Sequence, residues 1–378
     1  DEAWQMSKGE YIIMSNENSN NILVIGNGFD LAHGLKTRYN DFIAYMRNKK
    51  YDGRLDDPYA KEIKSIVGVE KNGFINYFLE YINAVPGWVD MERLIKRIID
   101  QFQDLFEHYR EYLYDKLFLA SKMPPELYDV LQKFNLTKNI CYSRDVTSRF
   151  SLDAYKGKYG LNTEEIIQML REQLDGLIRA LECYLILETE LNPIDKNKVK
   201  KQIAKINPSY VISFNYTTTY RLYGINDDDV FHVHGKILSE PNNMVLGFND
   251  EDPENLDFVY FKKYFQRIQK RTGYIDEGKF AHSITTEIRT DGKNTLKRNP
   301  ESVAHFYGHS MDETDKDLIQ KIDSLSKKLV IYYLNQEDYE KKVINLIKIF
   351  GKDVATKNIQ VGKFQFVKCE ESKQNMKE

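Results

Sequence analysis

Four places in this sequence set polar side chains directly behind a short apolar run, and chemistry is expected there. The first is Ile22–Ile25, followed by Gly26-Asn27-Gly28-Phe29-Asp30. Two glycines can take positive φ, turn the chain sharply and leave backbone N–H groups uncovered. A helical start near Asp30 would then lay phosphate oxygens on aligned peptide dipoles. Thr37 follows, between Lys36 and Arg38, and either cation could add charge to a phosphate or stand in solvent. The second place is Val211–Phe214, leading to Asn215, Tyr216 and Thr217, whose amide and hydroxyls suit sugar hydroxyls or a water. The third is Val230–Val233, leading to His234 and Gly235. An imidazole with an ordinary pKa near ~6.5 exchanges protons at neutral pH, and a glycine beside it admits a ligand closely. The fourth is Phe306-Tyr307, leading to Gly308, His309 and Ser310.

Each has a plainer reading. The Gly26/Gly28 turn lacks the third glycine of the dinucleotide fingerprint and the Gly-Lys-Ser/Thr ending of a P-loop, so it could be only a tight turn. Asp30 and His33 share a helical face, and Asp30 could simply cap the helix. Asn215 could be a turn residue. His232 and His234 alternate along a strand and so face one side, but no carboxylate or cysteine stands at ligand spacing to make them a metal pair. His232 reads as a packed strand histidine. Asp90 and Glu92, after Trp88, read as the cap and first turn of a long helix, with Glu92 pairing with Lys96, before they read as a catalytic pair. Ser310 has no Gly-x-Ser-x-Gly elbow.

Strand ends of this kind need a sheet to bring them to one edge. From Tyr39 to about residue 206 the periodicity is helical: Tyr39–Arg47, Ala60–Val67, Phe74–Ala84, Met91–Ala120 and Pro124–Phe134. A short strand is expected at Asn139–Tyr142. A long helix runs from Asn162 or Thr163 to about Glu190, with Glu165 as in a capping box. Lys196–Ile206 is a last basic helix. After Pro208 come β-rich runs at Tyr210–Phe214, Val230–Val233, Met244–Gly247, Val303–Tyr307, Leu329–Leu334 and Ile359–Val367. Helices at Asp312–Leu325 and at Gln336–Phe350, the latter between Asn335 and Gly351, are interleaved with them. The first strand has no nearby partner and most economically joins this later sheet. The fold class is therefore α/β: a Rossmann-like, mostly parallel sheet with helices on both faces, interrupted by a large helical insertion. The core is residues 21–40 plus 207–367, the insertion 41–206, with a loose segment at 1–20 and a charged tail at 368–378. Residues 251–300 are charged and unplaced.

The 378 residues carry a net charge of −3, so no global basic field advertises nucleic acid. Three cysteines far apart give neither a disulfide framework nor a Cys-x-x-Cys pair, which fits a reducing cytoplasm. No apolar run approaches the ~20 residues of a membrane span, and no signal peptide is visible; Asp1–Gln5 before Met6 reads as an appended segment.

Gly26-Asn-Gly-Phe-Asp-Leu-Ala-His-Gly-Leu35, Gly87-Trp-Val-Asp-Met-Glu92, Ser213-Phe-Asn-Tyr-Thr217 and His232-Val-His-Gly235 together resemble the AbiH-type bacteriophage abortive-infection family. The likeness is spread over most of residues 21–335. It implies a role in defence against phage, without supplying a mechanism. A more distant likeness to sirtuins and related NAD-cleaving defence enzymes implies chemistry. In those, a Gly-x-Gly loop binds NAD, an asparagine at a strand end positions the nicotinamide ribose, and a His-Gly supplies the catalytic histidine. Here Gly26-Asn27-Gly28, Asn215 and His234 match in turn, and Gly308-His309-Ser310 is similar to a late cofactor-contacting Gly-x-Ser. The sequence departs in having Asn27 between the glycines and in lacking a four-cysteine zinc module, which speaks against an acyl-lysine substrate. Asn215 and His234 are accordingly the expected catalytic residues, with no metal. Gly26, Asn27, Gly28, Phe29, Asp30, Thr37, Tyr216, Thr217, Gly308, His309 and Ser310 are expected to bind NAD as a substrate. Two alternatives stand beside this: a nucleotide-sensing subunit without turnover, and a metal-dependent nuclease using Asp90 and Glu92. The partners expected are the nucleotide, a phage-derived trigger or second defence subunit, and further copies of the chain as an open alternative.

Overall fold

Ile22–Ile25 is buried on every side, as an aliphatic run at the centre of a parallel sheet must be. This strand, β1 (Asn21–Ile25), pairs in parallel with β2 (Tyr210–Ser213) on one edge and β6 (Val303–Tyr307) on the other. β3 (Val230–His232), β7 (Lys328–Tyr333) and β8 (Phe364–Lys368) complete a six-stranded sheet in the order β3-β2-β1-β6-β7-β8. Every pairing in it is parallel. The computed structural model describes residues 20–68, 72–84, 90–108, 124–136, 162–191, 198–249, 256–276, 282–288 and 294–370.

Strand alternation divides the sheet into two apolar faces. Ile22, Val24, Ile212, Phe306 and Ile331 pack with Leu318, Ile319 and Ile322 of α10 (Lys316–Leu325) and with Leu346 and Ile349 of α11 (Gln336–Phe350). Leu23, Ile25, Val211 and Val330 face the other way, onto Phe29 of α1 (Asn27–Ala32) and Ile203 of α8 (Lys201–Ala204). Helices therefore cover both faces. Asn335 caps α11 by accepting from the Asp338 N–H at 3.0 Å, and Gly351, at φ +81°, ends it.

Several elements differ from expectation for identifiable reasons. Met244–Gly247 is apolar and buried but is not a strand. The Gln266 side chain serves Leu246 instead, accepting from its N–H at 3.0 Å and donating to its carbonyl at 2.9 Å. Ile359 closes α12 (Lys352–Gln360), and the last strand begins only at Phe364, after a turn at Gly362 with φ +76°. Of the helix expected at 196–206, the described residues show α8, and the 312–325 helix begins as a tighter turn at Glu313–Asp315. In the unplaced 251–300 region, β4 (His282–Ile288) and β5 (Asn294–Pro300) form an antiparallel hairpin.

The chain divides into two units: Asp1–Leu35, Pro193–Lys236 and Thr272–Glu378, which hold the sheet, and Lys36–Asn192 with Ile237–Arg271. The second is helical: α2 (Tyr39–Arg47), α3 (Pro58–Val67), α4 (Gly73–Ala84), α5 (Met91–His108), α6 (Pro125–Lys133), α7 (Thr163–Thr189) and α9 (Lys263–Gln269). In α5, Leu94, Ile95, Ile98, Phe102 and Leu105 form the buried stripe their spacing predicts. Asn162 caps α7, which is tied to α3 by a two-pronged Arg179–Glu62 ion pair at 2.8 Å. The strand expected at Asn139–Tyr142, the extension of α5 toward Ala120, Trp88 and both chain ends lie outside the described residues. Among the described residues no helix is long and apolar enough to cross a membrane.

Candidate functional site

Register brings the four strand ends level. Ile25 lies opposite Ser213 and Tyr307, and Ser213 opposite His232. Gly26, Asn215, His234 and His309 therefore leave the sheet at one edge, all in the first unit. In open α/β sheets, ligands bind outside the carboxyl ends of strands where the strand order reverses, here between β1 and β6.

Gly26 and Gly28 serve close packing rather than an unusual backbone conformation. Gly26 is extended, and Gly28 lies in α1. Gly308, the turn after β6, takes φ +68° and presses against them. Gly28 N–H donates to the Gly308 carbonyl at 2.8 Å, and a Cβ on Gly28 would stand 2.8 Å from Gly308 Cα. A Cβ on Gly26 would meet His309 Cα at 2.7 Å. Three glycines thus let two backbones interlock at the switch point. Asn27, between the two glycines, is exposed.

Behind the turn lies a buried polar cluster. Asn215 Nδ2 donates to the Gly26 carbonyl at 3.0 Å, tying β2 to the exit of β1. Its own carbonyl accepts from His232 Nδ1 at 3.1 Å and from Ser213 Oγ at 3.0 Å. Asp30, 1 % exposed, accepts from Thr217 Oγ1 at 2.6 Å, and Thr219 Oγ1 donates to Thr217 Oγ1 at 3.2 Å. Asp30 lies within α1 rather than at its cap. Burial raises its pKa from 3.8 to about 6, against hydrogen bonds from Thr217, Thr219 and Asn215 that lower it. The folded state thus binds this proton more tightly than the unfolded chain does. Its contribution to stability is full below pH 3.8 and is lost as pH rises through about 6. At ~1.36 kcal/mol per pKa unit the loss is about 3 kcal/mol. Asp30→Asn keeps the shape without the charge, so at pH 8 it should unfold at higher urea than the parent, with the gap closing at pH 4. Equal midpoints at pH 8 would contradict this.

His234 and His309 flank a third group. His234 Nε2 stands 3.4 Å from Asp315 Oδ1, and His309 Nε2 stands 3.7 Å from Asp315 Oδ2. All three side chains are buried. The Phe214 ring meets His309 at 4.3 Å and His234 at 5.6 Å, edge to face. His232 does not share this environment, because β3 ends at His232 and strand alternation stops there. Its ring lies between the Asn215 carbonyl and Tyr220, and burial lowers its pKa to about 4. His33 is similar: Nδ1 donates to the Phe29 carbonyl at 2.7 Å, Nε2 accepts from Tyr223 at 2.8 Å, and burial lowers its pKa to about 4. Both are neutral packing groups.

The structure thus brings Gly26, Gly28, Asn215 and Gly308 together at the turn, Asp30 with Thr217 behind it, and His234 with His309 on either side of Asp315. Phe29 anchors α1 in the core below them. Tyr216 is half-buried, and Ser310 is exposed, its carbonyl accepting from Asn345 Nδ2 at 3.1 Å. Thr37, with Lys36 and Arg38, belongs to the second unit. So do Asp90 and Glu92: Asp90 accepts from the Glu92 and Arg93 N–H groups as a cap, and Glu92 pairs with the buried Lys263 at 2.7 Å, not with Lys96. Lys96 bonds Asp100. Three members of the cluster were not singled out from the sequence: Phe214, Thr219 and Asp315. For Asp315 a signal existed, since Asp312 and Asp315 offer two caps where α10 needs one.

No curated protein and no solved structure matches the chain, so the likeness to sirtuins stands on the motifs alone. The family model described as bacteriophage abortive infection AbiH matches residues 22–334, most of the chain and all of the strand-end cluster, and the protein belongs to that family.

Proposed function

We propose that this abortive-infection protein binds NAD⁺ or a closely related nucleotide at the β1/β6 switch point and hydrolyses its nicotinamide–ribose bond. The observation that supports the reading is that Asn215 and His234 both leave the sheet at its carboxyl edge, Asn215 bonded to Gly26 and His234 facing Asp315, in a sheet whose strand order is that of dinucleotide-binding folds. Departure of nicotinamide leaves oxocarbenium character on the ribose, so the site must position the sugar and remove a proton more than supply a strong nucleophile. Asn215, fixed through Gly26, would orient ribose hydroxyls or the attacking water. His234 would take the proton that water loses as its oxygen bonds to the ribose carbon, giving nicotinamide and ADP-ribose. With its pKa raised to about 6, Asp30 is protonated in only a minor fraction at neutral pH, and its carboxylate, bonded by Thr217, would oppose a pyrophosphate placed beside it.

Binding without turnover is the second reading, and one feature favours it. Asn215 and His234 are 6 % and 7 % exposed, and the Asn215 amide already holds Gly26. The test is made in phage-infected cells carrying the protein, with NAD⁺ followed by mass spectrometry. NAD⁺ should collapse with the parent and hold with His234→Ala. Unchanged NAD⁺ with the parent while protection persists would overturn hydrolysis and favour sensing.

A further inference from the structure

We propose that Asp315 is a positioning residue, holding His234 by Nε2 so that Nδ1 is the nitrogen that takes the proton; this rests on His234 acting as the base. Asp315 sits at the N-cap position of α10, yet its side chain makes no cap hydrogen bond. The cap of the turn before it is Asp312, which accepts from the Thr314 N–H at 3.1 Å. The Asp315 carboxylate is instead 8 % exposed as a residue and turned toward two imidazoles. A buried carboxylate is costly unless charged or hydrogen-bonding groups face it; here the two Nε2 atoms stand at ion-pair distance, one opposite each oxygen, and neither contact has hydrogen-bond geometry.

The ring state of His309 follows from its other contact. Met311 N–H donates to His309 Nδ1 at 2.9 Å, so Nδ1 is an acceptor and the neutral ring carries its proton on Nε2, facing Asp315 Oδ2. The second oxygen, Oδ1, is then the one turned to His234. A carboxylate facing a histidine N–H fixes the tautomer and makes the opposite nitrogen more basic. Among the described residues, Asp315 at the start of α10 faces His234, His309 from the turn after β6 faces the other oxygen of Asp315, and the Phe214 ring from the end of β2 lies beside both imidazoles. Asp315 thereby links the exits of β3 and β6 across the switch point.

The test is nitrogen NMR of the whole chain labelled in histidine, with His234 assigned by its loss in His234→Gln. In the parent, His234 should carry its neutral-state proton on Nε2. In Asp315→Asn it should become a tautomer mixture and titrate at least one pH unit lower, while His33 and His232 keep their signals and report an intact fold. A parent His234 protonated on Nδ1 would overturn the proposal even if Asp315→Asn fails to fold, and so would an unchanged titration in a folded Asp315→Asn. The readout needs no turnover. A His234 that behaves as stated in a protein that never releases nicotinamide would sink the hydrolase reading and the base with it, and leave standing only the tautomer that Asp315 sets.

Discussion

Gly308→Ala is expected to cost the sheet unit ~2–5 kcal/mol, a large share of the ~5–15 kcal/mol that holds an ordinary domain folded. Two effects add. Gly308 takes φ +68°, a left-handed conformation that costs an L-residue ~1–2 kcal/mol. A Cβ there would also stand 2.0 Å from the Phe29 nitrogen and 2.4 Å from the Gly28 carbonyl carbon. Both are backbone atoms at the start of α1, which is pinned by Phe29 in the core, so neither can swing away as a flexible side chain would. Gly224 provides the control: it has φ +71° with nothing within 4 Å of its Cβ position. Gly224→Ala should therefore lose only the backbone contribution of ~1–2 kcal/mol. Urea unfolding of the two variants separates the effects. Equal losses would mean that the Gly28–Gly308 approach can relax, and that the interlock at the switch point is not what these glycines serve.

The second large effect concerns turnover. Removal of a positioned general base lowers rates by ~10²–10⁴-fold, so His234→Ala should lower nicotinamide release by that factor. The gap left by the ring is bounded by Phe214 and by the Asp315 carboxylate, whose Oδ1 loses the imidazole that faces it, so the urea midpoint of the variant is measured beside its release. Asn215→Ala should be at least as damaging to release. It removes the group proposed to orient the ribose and also cuts the hydrogen bond to Gly26, which adds ~1 kcal/mol of lost stability. His232→Gln is the comparison, because His232 packs between Asn215 and Tyr220 and makes no contact with Asp315 among those described. It should lower stability more than release. A His234→Ala protein that retains full release while His232→Gln loses it would exchange the roles assigned to the two rings.

The opening turn, the strand ends at Asn215, His234 and Gly308, and the parallel sheet were legible in the sequence. An aliphatic run followed at once by Gly, Asn or His is a local pattern, and parallel strands need crossovers long enough to leave helical periodicity between them. What glycine was for was not legible. Gly26 and Gly28 look like uncovered backbone from sequence, but their missing Cβ atoms make room for Gly308, some 280 residues away. Met244–Gly247 reads as a strand because it is apolar, while its backbone is served by a distant side chain, Gln266. His232 and His234 read as one face because alternation is a strand property, and the strand stops between them. Asp315 escaped because an aspartate at a helix start already has an explanation. Only the observation that its carboxylate makes no cap, and turns toward His234 and His309, marks it as different.

Product analysis of NAD⁺ incubated with protein recovered from phage-infected cells tests the central claim most directly. Hydrolysis at the switch point predicts nicotinamide and ADP-ribose in equal amounts, with neither formed by His234→Ala recovered in the same way. Intact NAD⁺, or cleavage at the pyrophosphate to two mononucleotides, would contradict it.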